Sequence, residues 1–442
     1  MKCLQKFEKN SFIKFGILVY AFLLWLLPFI DKANFAVYEQ FGQVGMAVIA
    51  FLFLIIFKDT FFLLEMVLLF MFTFSRDMLA TDIPMHIFIV LGLLALGLIL
   101  HLIIYRQKPK KPKFMIGLSL LCISMVLGGL LYQFDNKIQI MLLLLILSTV
   151  FLLIYLILSG SSKCTFYELS SLMSYLGLFL VLQMFVYYLM PGNAGQFLRV
   201  KMLNVGWANN GNTFSIIMLC LCPFTFFYGA NNKGIKSIGI YALTILEIAC
   251  IIFSFSRGAV LAAVVSYVFF VIVSLFNKEY RWKIFYFAIA ALLTLCLFII
   301  GIYFIDKTLI TSLIDNLTRV NLESMNGRVP IYTKLLEEFK NQPIFGYGLF
   351  IGFYGNPEYL WAHNTFLHAA YTLGTLGFIA MVIHHLEKYV FCLKKVKYEK
   401  IVLLFSFLAS DIYGFIDVSY FLPSFMLVLV VTLIMVNNSL KD

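Results

Sequence analysis

The sequence predicts an all-α, polytopic transmembrane bundle of about 12 to 14 spans, with both termini cytoplasmic and one long extracytoplasmic loop carrying an amphipathic helix. Three observations predict it. Of the 442 residues, 62% are hydrophobic and 12% charged, and the mean hydropathy of +0.96 lies beyond what a water-soluble domain reaches. Apolar runs of roughly 17 to 25 residues recur, long enough to cross a bilayer as helices and lacking the sustained alternation of a β-barrel. Lys and Arg are also shared unequally between successive connections.

Taken in order, MKCLQKFEKNSFIK and the apolar run after it resemble a signal peptide in outline, but no convincing small-residue cleavage site follows. An uncleaved first span near 14–30 is the better reading. Spans near 41–57, 60–74, 84–105, 114–132, 138–158 and 168–190 complete an N-terminal set over 1–190. Spans near 212–229, 237–254, 258–276, 283–305 and 363–386 form a core over 191–386, interrupted by an outer loop at 306–362. Two spans near 400–415 and 419–436 belong to a C-terminal set over 387–442.

With the N-terminus inside, YRQKPKKPK (105–113), NKEYRWK (277–283) and the cluster from Lys388 to Lys400 fall in the cytoplasm. On this topology 22 of the 33 Lys and Arg are cytoplasmic and 11 outer, as the positive-inside rule requires, and the 306–362 loop is outside. The net charge of +11 is therefore read as topology, with anionic lipid as a secondary partner and no nucleic acid. The eight cysteines show no CxxC or CxxC…H spacing and suggest neither a disulfide framework nor a metal site.

Several outer basic residues sit in longer or more distinctive settings than short generic loops. Arg199 and Lys201 lie in PGNAGQFLRVKMLNVGWANNGN, Arg257 in FSFSRGAV, and Arg328 at the head of a helical pattern over 328–341. Two readings of Arg257 stand: a bidentate phosphate clamp, or an interfacial anchor snorkelling to lipid phosphate. Arg328 is either an anion ligand beside a helix N-terminus or a surface charge. Asn210 and Asn212 either hydrogen-bond a ligand or form a turn and cap the eighth span. The 328–341 helix, with Ile331, Leu335, Leu336 and Phe339 on one face, either lies on the bilayer as a cover or simply packs the loop. PIFGYGLFIGFYG (343–355) is either a flexible sugar-facing wall or a membrane-skimming turn. His363, where the chain re-enters apolar sequence, is either a general base or a tolerated interface residue. Glu65, Glu247 and Asp411, isolated within spans, are expected to be internally paired or hydrogen-bonded.

SFSRGAVLA, then NGRVPIYTKLLEEFKNQPIFGYGLF, then AHNTFLHAAYTLGTLGF resemble, in order and spacing, the successive motifs of the O-antigen ligase and O-antigen polymerase superfamily of bacterial envelope glycosyltransferases. GWANNGN resembles the outer motif of its exopolysaccharide-polymerase members, so the likeness covers about residues 195–385. It implies transfer of a glycan from a polyprenyl-pyrophosphate carrier to an acceptor hydroxyl at the outer face of the cytoplasmic membrane, without a metal or other cofactor. The family's essential histidine falls on His363, and its two outer arginines on Arg257 and Arg199.

The residue types suit that chemistry. A histidine serves as base near neutral pH, arginines supply fixed charge to a departing diphosphate, and no DxD pair lies on the outer face to hold a metal. A repeat-unit polymerase of capsular polysaccharide or exopolysaccharide is the first expectation. Its partners would be polyprenyl-pyrophosphate-linked oligosaccharide, membrane lipids, and other assembly proteins such as a flippase and a chain-length regulator. The alternatives are a ligase passing glycan to a lipid or protein acceptor, and a lipid-linked oligosaccharide flippase or transporter.

Overall fold

A bilayer offers backbone amides and carbonyls no partner, so apolar spans must satisfy them internally as helices. Every element among the described residues is an α-helix. The computed structural model describes residues 11–31, 35–73, 85–106, 112–130, 137–190, 193, 203–208, 210–305, 307–318, 327–349 and 361–440. Arg199, Lys201 and the 350–355 part of the glycine-rich stretch lie outside them.

The first set comprises α1 (Ser11–Ile30), α2 (Phe35–Ile56), α3 (Phe61–Met71), α4 (Met85–Tyr105), α5 (Met115–Leu130), α6 (Lys137–Ser161) and α7 (Phe166–Leu189). The core adds α8 (Gly211–Ala230), α9 (Gly234–Phe253), α10 (Arg257–Leu275) and α11 (Arg281–Ile305). Then follow α12 (Lys307–Thr318) and α13 (Arg328–Asn341) in the long loop, α14 (Thr365–Leu393), α15 (Tyr398–Gly414) and α16 (Pro423–Ser439). Each run expected to be a span is helical, and the expected loop helix is α13. Among the described residues eight helices are long and apolar enough to cross a membrane, with five shorter apolar ones beside them. The chain is a polytopic helical membrane bundle.

The third span is the least regular of the first set. α3 has 11 residues, a rise of about 16 Å, roughly half a hydrocarbon core. α2 and α4 run parallel: His101 Nδ1 lies 2.7 Å from the Leu54 carbonyl and the Tyr105 hydroxyl donates to the Ile55 carbonyl at 2.8 Å, while His86 meets Gln43 at the other end. The chain therefore returns between them, within residues 57–84.

α8 is apolar on all sides and lies buried in the middle of the molecule, packed against α7, α9, α10, α15 and α16. Its N-terminus carries Asn210 and Asn212 to one end of the bundle. Its far end, at Ala230, marks the other.

The span expected over 363–386 is longer and is broken. α14 reverses sharply at Gly374, where φ is 67° and ψ −167°. The rings of Phe366 and His385 approach to 5.2 Å, whereas 19 residues of straight helix would separate them by about 28 Å. A break leaves orphan carbonyls on one half and orphan amides on the other. The turn after α13 supplies both: Tyr347 and Gly348 amides donate to the Tyr371 and Thr372 carbonyls, and Thr375 and Leu376 amides donate to Pro343 and Ile344. A Cβ on Gly346 would strike the backbone of 372–374, and one on Gly374 would strike Ile344. The described part of the glycine-rich stretch, 343–349, is therefore a backbone-locked brace for the break. The flexible-wall reading fails there.

A second correction concerns Lys388 and Lys400, expected as cytoplasmic loop charges. Both are buried. Lys388 pairs with Asp411 at 3.1 Å, and Lys400 donates to the Phe391 and Lys394 carbonyls that close α14. Asp411 is thus internally paired as expected, and Glu247 accepts from the Thr225 hydroxyl at 2.9 Å.

Candidate active site

The N-termini of α8, α10 and α14 converge at one end of the bundle on residues 415–422, the connection between α15 and α16. Small residues permit this. A Cβ on Gly211 would collide with the Ser254 carbonyl, and one on Gly258 would collide with Ile416. The SFSRG turn is thereby wedged between the start of α8 and the 415–422 connection.

His363 sits just before the Asn364 cap of α14, whose side chain accepts from the Leu367 amide at 2.9 Å. Its φ of 46° is left-handed, a conformation that costs a non-glycine residue of order 1 kcal/mol or more and persists only where neighbours impose it. The neighbours are identifiable. The Tyr332 hydroxyl of α13 donates to the His363 carbonyl at 3.1 Å, and Asn364 Nδ2 donates to the Phe415 carbonyl at 3.1 Å. Phe255, two residues before Arg257, is left-handed as well, at φ 54°.

The imidazole Nδ1 of His363 lies 3.1 Å from Asp417 Oδ1, in the connection after α15. Asp417 is held from several directions: its own oxygens accept from the Val418 amide at 2.8 Å and from Asn212 Nδ2 at 2.6 Å, and the Tyr413 hydroxyl stands 3.5 Å away. The Thr365 hydroxyl donates to its main-chain carbonyl at 3.1 Å. Burial pushes the Asp417 carboxyl up, but the hydrogen bond and electrostatic pull of His363, the Val418 amide and the Arg328 charge outweigh burial and hold it below its ordinary value.

An ionised carboxylate only accepts, so Nδ1 of His363 carries a proton, and the neutral ring in that tautomer presents a lone pair at Nε2. The His363 side chain is 34% exposed against 8% for Asp417, and Nε2 has no hydrogen-bond partner among the described residues. The arrangement can take up a proton at Nε2 from a group arriving at the surface.

Arg257 occupies the first turn of α10, partly buried, and its guanidinium makes no hydrogen bond or ion pair among the described residues. A half-desolvated, unpaired guanidinium at a helix N-terminus is suited to an anion. Arg328 begins α13 behind Gly327, whose φ of 84° places it in the left-handed region, and its charge acts on Asp417 and Tyr332. The structure thus brings His363, Asn212 and Arg328 together around Asp417, and sets Arg257 at the start of α10 at the same end of the bundle. Asn210 is the cap of α8, its Oδ1 accepting from the Thr213 amide at 2.9 Å, which is the capping role. Among the described residues no three His, Cys, Asp or Glu side chains cluster as metal ligands.

Asp417 was absent from the residues singled out in the sequence. The signal was available: IDVSY falls between the last two spans, and span parity puts that connection at the same end as His363.

Residues 242–382 match the family described as O-antigen ligase. The match contains Arg257, Arg328 and His363, while Asn212 and Asp417 lie outside it. No curated protein matches the chain.

Proposed function

We propose that the chain is a membrane glycosyltransferase of the O-antigen ligase and polymerase type, a reading supported by the family match over residues 242–382. It polymerises polyprenyl-pyrophosphate-linked oligosaccharide repeat units into capsular polysaccharide or exopolysaccharide at the outer face of the cytoplasmic membrane. The observation that carries the reading is the His363–Asp417 pair, open at Nε2 among the described residues and under the Arg328 charge.

In this mechanism the acceptor hydroxyl of a lipid-linked unit approaches Nε2 of His363, which takes its proton as the oxygen attacks the anomeric carbon of the growing chain. The bond from that carbon to the diphosphate breaks, and polyprenyl diphosphate leaves with the electron pair. Asp417 keeps Nδ1 protonated and balances the imidazolium formed, as a positioning carboxylate does. Arg257 and Arg328 meet the charge that grows on the diphosphate, and Arg199 and Lys201 are assigned to the same task. A single displacement inverts the anomeric centre. Fixed guanidinium charge serves in place of a metal.

Purified protein supplied with lipid-linked repeat units, in chelator, should yield a ladder of longer glycans still attached to the lipid carrier. Transfer of the glycan to an unrelated lipid or protein acceptor, with no ladder, would identify a ligase instead. A transporter would move the substrate across vesicles without changing its length. The single broken helix, at Gly374, has no symmetric counterpart among the described residues, which disfavours that last reading.

A further inference from the structure

At the end of the bundle opposite His363, a cavity of about 390 Å³ opens between α9 and α11, beside the end of α8. Its walls follow helical periodicity. Ser237, Tyr241 and Ile245 present one face of α9, and Lys283, Tyr286, Phe287 and Ala290 present one face of α11. The walls also grade in polarity. Asn232, Ser237 and Lys283 stand at the mouth, where the chain leaves the bilayer, while Phe287 lies about one turn deeper and Ile245 and Ala290 about two. Little else covers α11, which is exposed along most of its length, with Trp282 and Tyr286 outermost at the level of the mouth.

The charge around the mouth has one sign. Lys233 and Lys236 stand before α9 and in its first turn; Lys278, Arg281 and Lys283 stand before α11 and in its first turn; Glu279 is the one acid in these two stretches. None of the five basic residues pairs with a carboxylate among the described residues. Lys283 instead rests over the Tyr280 ring at 4.9 Å, and Lys236 over Tyr228 at 5.0 Å with the Tyr228 and Tyr167 hydroxyls as its partners. The Asn232 and Ser237 side chains are held by Tyr167 and by the Tyr228 and Gly229 carbonyls, so the mouth is preformed.

We propose that this cleft is a specific site for one anionic phospholipid, its phosphate on Lys283 and one acyl chain lying along the wall that Ile245, Ala290 and the packed Tyr241 and Phe287 rings form. A polar, cationic mouth over an apolar slot matches a headgroup over a chain, and a basic pocket between spans holds acidic lipid more tightly than a diffuse surface charge would. The site is separate from the glycan chemistry and stands whether or not that reading holds.

The test is native mass spectrometry of the detergent-purified full chain, titrated with phosphatidylglycerol or with phosphatidylcholine of the same chains. One phosphatidylglycerol should remain bound in preference to phosphatidylcholine. Lys283→Ala should weaken that binding about fivefold, the effect of one basic residue at an anionic headgroup. Ala290→Trp, which fills the slot from a lipid-exposed position, should abolish the tight site, and Lys340→Ala at the other end should change nothing. Unfolding temperature without added lipid identifies a misfolded variant. Equal retention of the two lipids, or unchanged phosphatidylglycerol binding in both folded cleft variants, would overturn the proposal. Inorganic phosphate competing as well as the lipid would overturn it too.

Discussion

Two aspartates six residues apart, Asp411 and Asp417, each meet a histidine from the α14 region, and they end in opposite circumstances. Asp411 is surrounded: Lys388 lies at 3.1 Å, the Tyr389 hydroxyl at 2.7 Å and His385 Nε2 at 3.2 Å, and the Tyr420 hydroxyl bonds Lys388 in turn. Lys388 is fully buried. That cluster is closed, with cation, carboxylate and phenols all inside the protein, and it ties the second half of α14 to α15 and to the 415–422 connection. Asp417 is held as firmly by Asn212 and Val418, but the histidine it orients reaches the surface with one nitrogen unspent. The same residue types thus give a closed cluster in one place and, in the proposed mechanism, the general base in the other. Exposure of the second imidazole nitrogen makes the difference.

The lock can be broken first. Lys388→Met leaves the Asp411 carboxylate buried without its cation and should lower stability by about 3–5 kcal/mol, read as unfolding in detergent. Pairing it with Asp411→Leu should recover most of that loss, because a shape-matched apolar pair can replace a buried ion pair. If the single variant is as stable as the parent, the cluster is not a lock.

Asp417→Asn keeps the shape but removes the charge that fixes the Nδ1 proton. Chain extension should fall about 10–100-fold with little change in apparent substrate affinity. Asn212→Ala frees only one oxygen of Asp417 and should reduce extension about tenfold, the value of one hydrogen bond to a charged group. A larger loss from Asn212 than from Asp417 would reverse their assigned order.

The smallest effect is on pH dependence. The folded Asp417 carboxyl lies below its ordinary value, so its contribution to stability is complete above the unfolded value of about 3.9 and is lost as pH falls through the lower folded value. Unfolding temperature of the parent should therefore fall more steeply below about pH 4 than that of Asp417→Asn. Parallel acid limbs would contradict the coupling to His363.

How much of this was legible in the sequence differs between the two regions. Spans and the loop helix follow from hydropathy and periodicity, which are local, and they appear where expected. His363 and Arg257 stand out because a polar residue at the edge of an apolar run is visible in one dimension. Asp417 does not, since its meaning depends on a contact across 54 positions with His363. Lys388 was misjudged for a related reason: it belongs to a basic run that looks like a loop, and only the partner on α15 shows it to be buried. The break at Gly374 was equally hidden, because TLGTLGF reads as ordinary apolar helix until the 343–348 backbone is seen filling its orphan bonds.

The most direct measurement is the initial rate of glycan chain extension by His363→Ala and His385→Ala, each compared with the parent per folded molecule. Loss of a general base should slow the first by about 10²- to 10⁴-fold, while the second, from the closed cluster, keeps the parent rate. Extension by His363→Ala at the parent rate, or an equal loss in both variants, would contradict the assignment of the open pair to the chemistry.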